Sequence, residues 1–466
     1  MGEDTAIDTM PVAARKSQVK GPIPAVARTA SAAPSTSVTP ENSIDAIDSI
    51  DPGFSTTRLG ANFRRLWTSA AASNLADGIL KVALPLVAIQ YTRSPALIAG
   101  LTFAFTLPWL LLALTAGAVA DRVDRRVLML GANAVRAGLV AVLLVALLAG
   151  GGSIWLLYAA ALLAGTAETF YDTASQAILP QIVRRDQLER ANSLLYAAEM
   201  TAFEFIGPPL AGFLVAAGVG IAIGAPVGLW AGALALLLLV RGTFKTRAAT
   251  TRTTLRGDVA EGLRYLARNR PLRTITVMTG VFNLASSAAQ AVLVLYAVGQ
   301  ASAMRLTQQQ YGWMLSAVAA GCLAGSFVAE RAEKALGRAR AIALGYLFGG
   351  LSVGAPAVTT NAYLIGAAYF VGGVALVIGN VTTLSLRQRI TPGRLLGRIN
   401  SCHRLVAYGT KPLGALLGGL LAQTLGLRAV FAVMGPLAVL TLLGMRQLTD
   451  KAMDAAVAET GHQDSQ

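Results

Sequence analysis

Charge is scarce in this chain. Asp, Glu, Lys and Arg make up 14% of its 466 residues, where a soluble domain carries roughly 25%. Together with 54% hydrophobic residues, that scarcity excludes an ordinary soluble protein. Cysteine is rarer still: Cys322 and Cys402 both fall within apolar stretches, so there is no disulfide framework and both read as buried thiols. With two histidines in the whole chain, no His/Cys cluster has metal-ligand spacing, and neither a metal nor a cofactor is expected. The run Gly-x-x-x-x-Gly-Lys-Ser/Thr is missing, which excludes direct use of ATP through that loop. No nucleophile triad is present and the loops on one side are only a few residues long, so an enzyme is not expected.

What the chain has is apolar length. Its hydrophobic residues fall into twelve long blocks, from 66–91 to 427–446, each long enough to cross a bilayer as a helix. Only helices or closed barrels satisfy their backbone in lipid, and runs of this length mean helices. The net charge of +15 could suggest nucleic acid, but its placement argues otherwise. Bases crowd every second loop: Arg122, Arg125 and Arg126; Arg184, Arg185 and Arg190; Arg331, Lys334, Arg338 and Arg340; Arg387, Arg389, Arg394 and Arg398. The opposite loops offer Arg93, Arg305 and Arg428. This asymmetry is the positive-inside pattern, which puts both termini and the central loop in the cytoplasm. The basic charge is topological, and nucleic-acid binding is rejected.

The two halves repeat at an offset of 208 residues. Gly117 falls on Gly325, each expected to end the second helix of its half. Leu188-Glu-Arg190-Ala-Asn192-Ser193 falls on Leu396-Gly-Arg398-Ile-Asn400-Ser401, leading into each fifth helix. Six helices is an even number, so the halves run parallel about an axis along the membrane normal. The expected organisation is a disordered cytoplasmic tail over 1–60, a six-helix bundle over 61–242 and a cytoplasmic linker over 243–272. A second bundle over 273–447 and a disordered tail over 448–466 follow. The tail over 1–60 has no apolar core for a signal peptide. Within the linker, Val259, Leu263 and Leu266 share one face of a short amphipathic helix.

The loop Gly117-Ala-Val-Ala-Asp121-Arg122-Val-Asp124-Arg125-Arg126 resembles the signature of the major facilitator superfamily between its second and third helices, with Asp124 in place of a glycine. The resemblance covers about residues 61–447 and implies the major facilitator fold: an all-α membrane protein of twelve helices in two bundles. It also implies that Asp121 latches the two halves, with Gly117 permitting close helix approach and Arg122, Arg125 and Arg126 as the basic partners. The copy at Gly325-Ser-Phe-Val-Ala-Glu330-Arg331 is decayed. Asn74-Leu-Ala-Asp77-Gly78, Gln176-Ala-Ile-Leu-Pro180 and Leu188-Glu-Arg190-Ala-Asn192 are similar to the bacterial group of macrolide and enterobactin exporters. The chain departs from many proton-linked drug antiporters in the fourth helix, where Glu168 and Asp172 stand instead of an arginine. Gly207-Pro208-Pro209-Leu-Ala-Gly212 resembles part of the fifth-helix motif of superfamily antiporters, with prolines to kink the helix and glycines to press on the partner bundle.

Ionisable groups inside the bilayer each need a reason, because one at a helix centre costs at least ~2.5–3.5 kcal/mol. Asp77 and Lys81 are four apart and can pair on one face; Arg136 in the third helix can serve a carboxylate elsewhere. Glu168 and Asp172 repeat the spacing with two acids, whose repulsion favours one of them carrying a proton. Glu199 and Glu204 add two more in the fifth helix. The second half offers Asn283, Gln290, Asn380, His403, Arg404 and Lys411, with His403 expected at the surface. Five acids in one half predict that proton coupling lies there, beside a cavity attractive to cationic or zwitterionic compounds. The expected function is proton-coupled efflux of an amphipathic drug, antibiotic or siderophore by a monomeric carrier in the bacterial inner membrane. Its partners are then the small-molecule substrate, protons and the lipid bilayer. A lysophospholipid flippase or nutrient importer of the same fold is the alternative.

Overall fold

The computed structural model describes residues 59–184, 187–245, 255–391 and 396–464. The first half contains α1 (Ala61–Ala88), α2 (Pro95–Ala120), α3 (Arg125–Leu148) and α4 (Ile154–Ile182). Its fifth span joins α5 (Leu188–Glu199), a π-helical stretch (Met200–Ile206) and α6 (Gly207–Ala217), and α7 (Val219–Leu238) is the sixth. After α8 (Leu255–Arg268) come α9 (Arg270–Ala297), α10 (Gln308–Leu336), α11 (Arg338–Val358), α12 (Ala362–Arg389), α13 (Leu396–Leu425) and α14 (Leu427–Leu440). A 3-10 turn, Thr441–Arg446, lengthens α14, and α15 (Asp450–Asp464) follows. Twelve helices among the described residues are long and apolar enough to cross a membrane.

Local chemistry sets where these helices begin. Ser94 and Ser153 cap α2 and α4, their hydroxyls accepting from the amides of Leu97 and Leu156; Pro95, with no amide to satisfy, opens α2. Asn361 caps α12 through two amides. Thr307 and Gln310 form a reciprocal capping box at α10. Gly218 (φ 145°) and Gly426 (φ 88°) turn the chain between the fifth and sixth spans of each half, a backbone that a side chain would strain.

The repeat is visible in these boundaries. α4 and α12, α5 and α13, and α7 and α14 each start 208 residues apart. In the first bundle, α1 packs on α6 and α7, α3 on α4 and α7, and α2 on α4. In the second, α9 packs on α13 and α14, α10 on α12, and α11 on α12 and α14. The main pairings that cross between bundles are α2 with α13, α6 and the π-helical stretch with α10, and α2 with α9.

Several expectations are corrected. Gly325 does not end its helix, because α10 runs on to Leu336. The decayed loop copy is therefore helical, and Glu330 pairs with Lys334 one turn on at 2.6 Å. Residues 450–464 form α15 rather than a disordered tail. Its Met453 and Ala456 join Leu448, Leu272 and Ile342 in a buried apolar cluster, and Asp454 pairs with Arg338. The linker holds a helix, with Leu266 buried in that same cluster and Leu263 exposed. Residues up to 58, Arg185, Arg394 and the linker stretch 246–254 lie outside the described residues, as do the side chains of Val259, Arg398, Asn400 and Ser401.

Candidate functional site

Halfway along the first bundle, α3 buries a complete arginine. Arg136 is 0% exposed and Asp77 on α1 is 1% exposed, and the two form an ion pair. The guanidinium also donates to Ser73 Oγ at 2.9 Å and to Asn133 Oδ1. Tyr171 of α4 and Trp230 of α7 lie over it, with ring centroids at 4.8 and 5.4 Å, so aromatic faces cover a desolvated cation. The i, i+4 pairing of Asp77 with Lys81 is not what forms. Asp77 turns inward to Arg136, and Lys81 turns toward the second bundle.

Lys81 Nζ donates to Glu204 Oε2 at 2.9 Å. Lys411 of α13 approaches the other oxygen, Oε1, at 3.9 Å. One carboxylate thus faces two ammonium groups, one from each bundle. Each ammonium also rests on a ring: Lys81 lies 4.6 Å from the centroid of Phe203, and Lys411 lies 4.7 Å from that of Tyr408. Tyr408 stacks on Trp109 of α2 at 5.3 Å. Arg404 lies 5.4 Å from the Trp109 ring and donates to Gln176 of α4. The strip from Phe203 to Gln176 is a continuous polar and aromatic seam between the bundles.

Glu204 owes its place to the π-helical stretch. Pro208 and Pro209 cannot donate the amides that the preceding turn needs, and the chain takes a wider turn ahead of them. Gly207 then lies against the Gly78 backbone of α1, where an added Cβ would come within 2.7 Å. Gly212 lies equally close to Gly312 of α10. The kink residues thus pack both inside the first bundle and across the seam. Nearby, Phe213 meets Trp313 edge-on at 5.0 Å, and Ser94 donates to Gln423 at 3.2 Å. On the face opposite the basic loops, the bundle ends are in contact.

The remaining acids line the same level. Glu168 and Asp172 are buried on α4, and Glu168 Oε2 has no hydrogen-bond partner among the described residues. Asp172 lies within electrostatic reach of Arg136 and Arg404, and half-buried Glu199 within reach of Arg404 and Lys411. Among the described residues Asn133 Nδ2 at this level also lacks a hydrogen-bond partner.

The signature loop is tied into its own bundle. Asp124 caps α3 and accepts from the amide of Phe244 at 2.7 Å. Arg125 donates to the Ala177 carbonyl at 2.6 Å, and Arg126 to those of Leu237 and Leu238. Exposed Asp121 pairs with Arg125 at 3.6 Å. Arg122 is exposed. Gly117 has open space where a Cβ would stand, so the close approach expected at it is not made in this conformation; Gly325 makes one, against Val374. His403 is buried, contrary to expectation, with Nδ1 3.2 Å from the Thr276 hydroxyl.

Sequence reasoning named Lys411 and Arg404 as polar positions but gave them no role. Charge inside an apolar helix was the available signal. Trp109 and Gln176 carried no such signal, because neither is charged.

Known proteins resemble this chain over most of its length. The profile of a family described as transmembrane secretion effector matches residues 54–464. The multidrug efflux pump Tap of Mycobacterium tuberculosis H37Rv is 28% identical over 398 residues, covering 82% of this chain and 92% of that one. Tap of Mycolicibacterium fortuitum is 26% identical over 385 residues, covering 78% and 90%. Among solved structures, a bacterial homologue of the iron transporter ferroportin in an inward-facing state superposes with a TM-score of 0.66. Its identity is 17%, over 83% of this chain and 98% of that one, which is a likeness of fold.

Proposed function

The chain belongs to the transmembrane secretion effector family of the major facilitator superfamily, and we propose that it is a proton-driven exporter of amphipathic small molecules. The observation that carries this reading is the band of charge midway along the helices. Asp77, Glu168, Asp172, Glu199 and Glu204 stand on one bundle, and Lys411 and Arg404 reach them from the other. Groups this costly to hold in hydrocarbon are kept where charge must move or be bound. The contacts of Gly212 with Gly312 and Ser94 with Gln423 support a carrier closed on one face, which rocks to open there and close on the other. The relatives named multidrug efflux pumps support export of drug-like cargo.

In this reading both termini and the basic loops lie in the cytoplasm of a bacterium, the membrane is the inner one, and one chain suffices. Asp121 latches the bundles in the opposite conformation, and the segment around α8 is the hinge linker. Everted membrane vesicles test the proposal. Respiring vesicles that contain the protein take up ethidium, an amphipathic cation, and a protonophore stops the uptake. Uptake that persists after the pH gradient collapses contradicts proton coupling.

A further inference from the structure

The sixth span of each half ends differently, and the second half is left with an open cleft. In the first half arginines cap that end. Arg65 of α1 donates to the Leu239 carbonyl at 2.8 Å, and Arg126 of α3 to those of Leu237 and Leu238. Ser69, one turn further along α1, donates to the Ala233 carbonyl of α7 at 2.8 Å, so the two helices lie flush. At the repeat offset of 208, Arg65 falls on Arg273, Ser69 on Val277 and Leu239 on Gln447. The second half keeps the arginine but not the contact. Arg273 turns back to the Ala267 carbonyl at 3.1 Å, and Lys334, the counterpart of Arg126, is held by Glu330. α14 meanwhile gives way to the narrower 3-10 turn. Between α9 and the end of α14 lies a cleft of about 430 Å³, a volume within the ~300–1,000 Å³ range of ligand pockets.

The mouth of this cleft is basic and its walls are apolar. Arg273 stands at the mouth, and Arg270 holds Gln447 of its rim, Nε donating to Oε1 at 3.2 Å. Among the described residues no carboxylate pairs with either arginine. Val277 and Val281 follow Arg273 at one and two turns along the same face of α9, with Leu437 and Leu440 of α14 also lining the cleft. From Arg273 to Val281 that wall runs roughly 12 Å along the helix. Val277 and Leu440 are more than half exposed, so the cleft opens outward from the bundle. Its floor is closed where Gly444 presses on Met278: an added Cβ there would stand 2.6 Å from the sulfur.

We propose that this cleft binds one anionic phospholipid of the cytoplasmic leaflet, its phosphate at Arg273 and Arg270 and an acyl chain along Val277 and Val281. The inference rests on the cytoplasmic placement of the basic loops proposed above and is independent of proton coupling. Charge complementarity names the occupant. Basic groups between membrane helices on the cytoplasmic side select anionic head groups, whereas a choline head group brings its own cation against the same arginines. The lipid then supplies to the second half the wedge that Arg65 and Ser69 supply to the first. It also steadies the junction of α8 with α9, because Arg270 and Arg273 stand in the first turn of α9.

Native mass spectrometry of the full chain, stripped of lipid in detergent, tests the site with phosphatidylglycerol and phosphatidylcholine of equal chain length. The unaltered protein retains one phosphatidylglycerol under conditions that remove phosphatidylcholine. Arg273→Gln weakens that retention about fivefold, the effect of taking one arginine from an anionic lipid surface. Val277→Trp keeps both arginines but fills the cleft, and loses the lipid. Arg331→Gln, which removes an exposed base on α10, leaves retention unchanged. Phosphatidylglycerol raises the thermal midpoint of the unaltered protein and of Arg331→Gln, but not of the other two variants. Three results overturn the site: phosphatidylcholine retained equally, phosphatidylglycerol retained equally by Arg273→Gln and Val277→Trp, or displacement by glycerol phosphate at equal concentration, which assigns the arginines to phosphate alone. Ethidium flux insensitive to the pH gradient overturns the proton-driven reading instead and leaves this site standing.

Discussion

Single residues at the middle of the membrane differ more in circumstance than in kind. Asp77 and Glu204 are both acids paired with a base, yet one is sealed in its bundle and the other is half in the open. Removing the charge of Asp77 leaves the buried Arg136 without its ion-pair partner, a change that typically costs about 3–5 kcal/mol. Asp77→Asn should therefore lower the thermal midpoint of the purified protein markedly. Asp77→Asn combined with Arg136→Met should recover much of the loss, because no bare charge remains. A single variant as stable as the parent would show that Arg136 finds other compensation. Asp77→Asn is therefore a poor probe of coupling: loss of function in it reports folding first. The sequence exposed each buried charge but not its partner. Lys81 is four residues from Asp77, so helical spacing suggests their pairing, while Arg136 and Glu204 lie far along the chain and only the tertiary fold brings them in.

Elements carry the next set of effects, and the fifth span is the most informative. Its proline pair was legible as a kink. The π-helical stretch before it was not, since counting in steps of three and four assumes an α-helix that the chain abandons at Met200. That wider turn is also why the direction of Glu204 could not be read from the register of Glu199. The glycines on this span make opposing predictions. Gly207→Val drives a side chain into the Gly78 backbone within the bundle, and overpacking of this kind costs about 1–3 kcal/mol; the thermal midpoint falls. Gly212→Val strikes Gly312 across the seam, so the fold survives while the two ends no longer close, and ethidium export falls at nearly unchanged stability. Gly117→Ala meets open space and should leave stability within about 0.5 kcal/mol. Equal thermal shifts in all three would contradict this division.

Over the whole molecule, the repeat was the most dependable reading. The match of Leu188 with Leu396 is reproduced in the helix starts of the fourth, fifth and sixth spans of each half, α4 with α12 among them. Gly117 with Gly325 misled about the helix end, because the second half joins α10 to α11 through Gly337 alone and has no room for a loop. α15 was misread for a related reason: its composition is polar, and what orders it is a patch of other helices around Met453, which local sequence cannot reveal. The basic loops predict that reporter fusions at either terminus are active only in a cytoplasmic form. A terminus reported on the other side would reverse the direction assigned to transport.

The central claim is that protons and cargo move in opposite directions through one site at the seam. Proteoliposomes containing the protein and a trapped pH-sensitive dye test it most directly, with ethidium loaded inside at equal initial pH on both sides. The account predicts that ethidium leaving the vesicles draws protons in, so that the interior acidifies. Ethidium leaving the unaltered protein with no change of internal pH would contradict it.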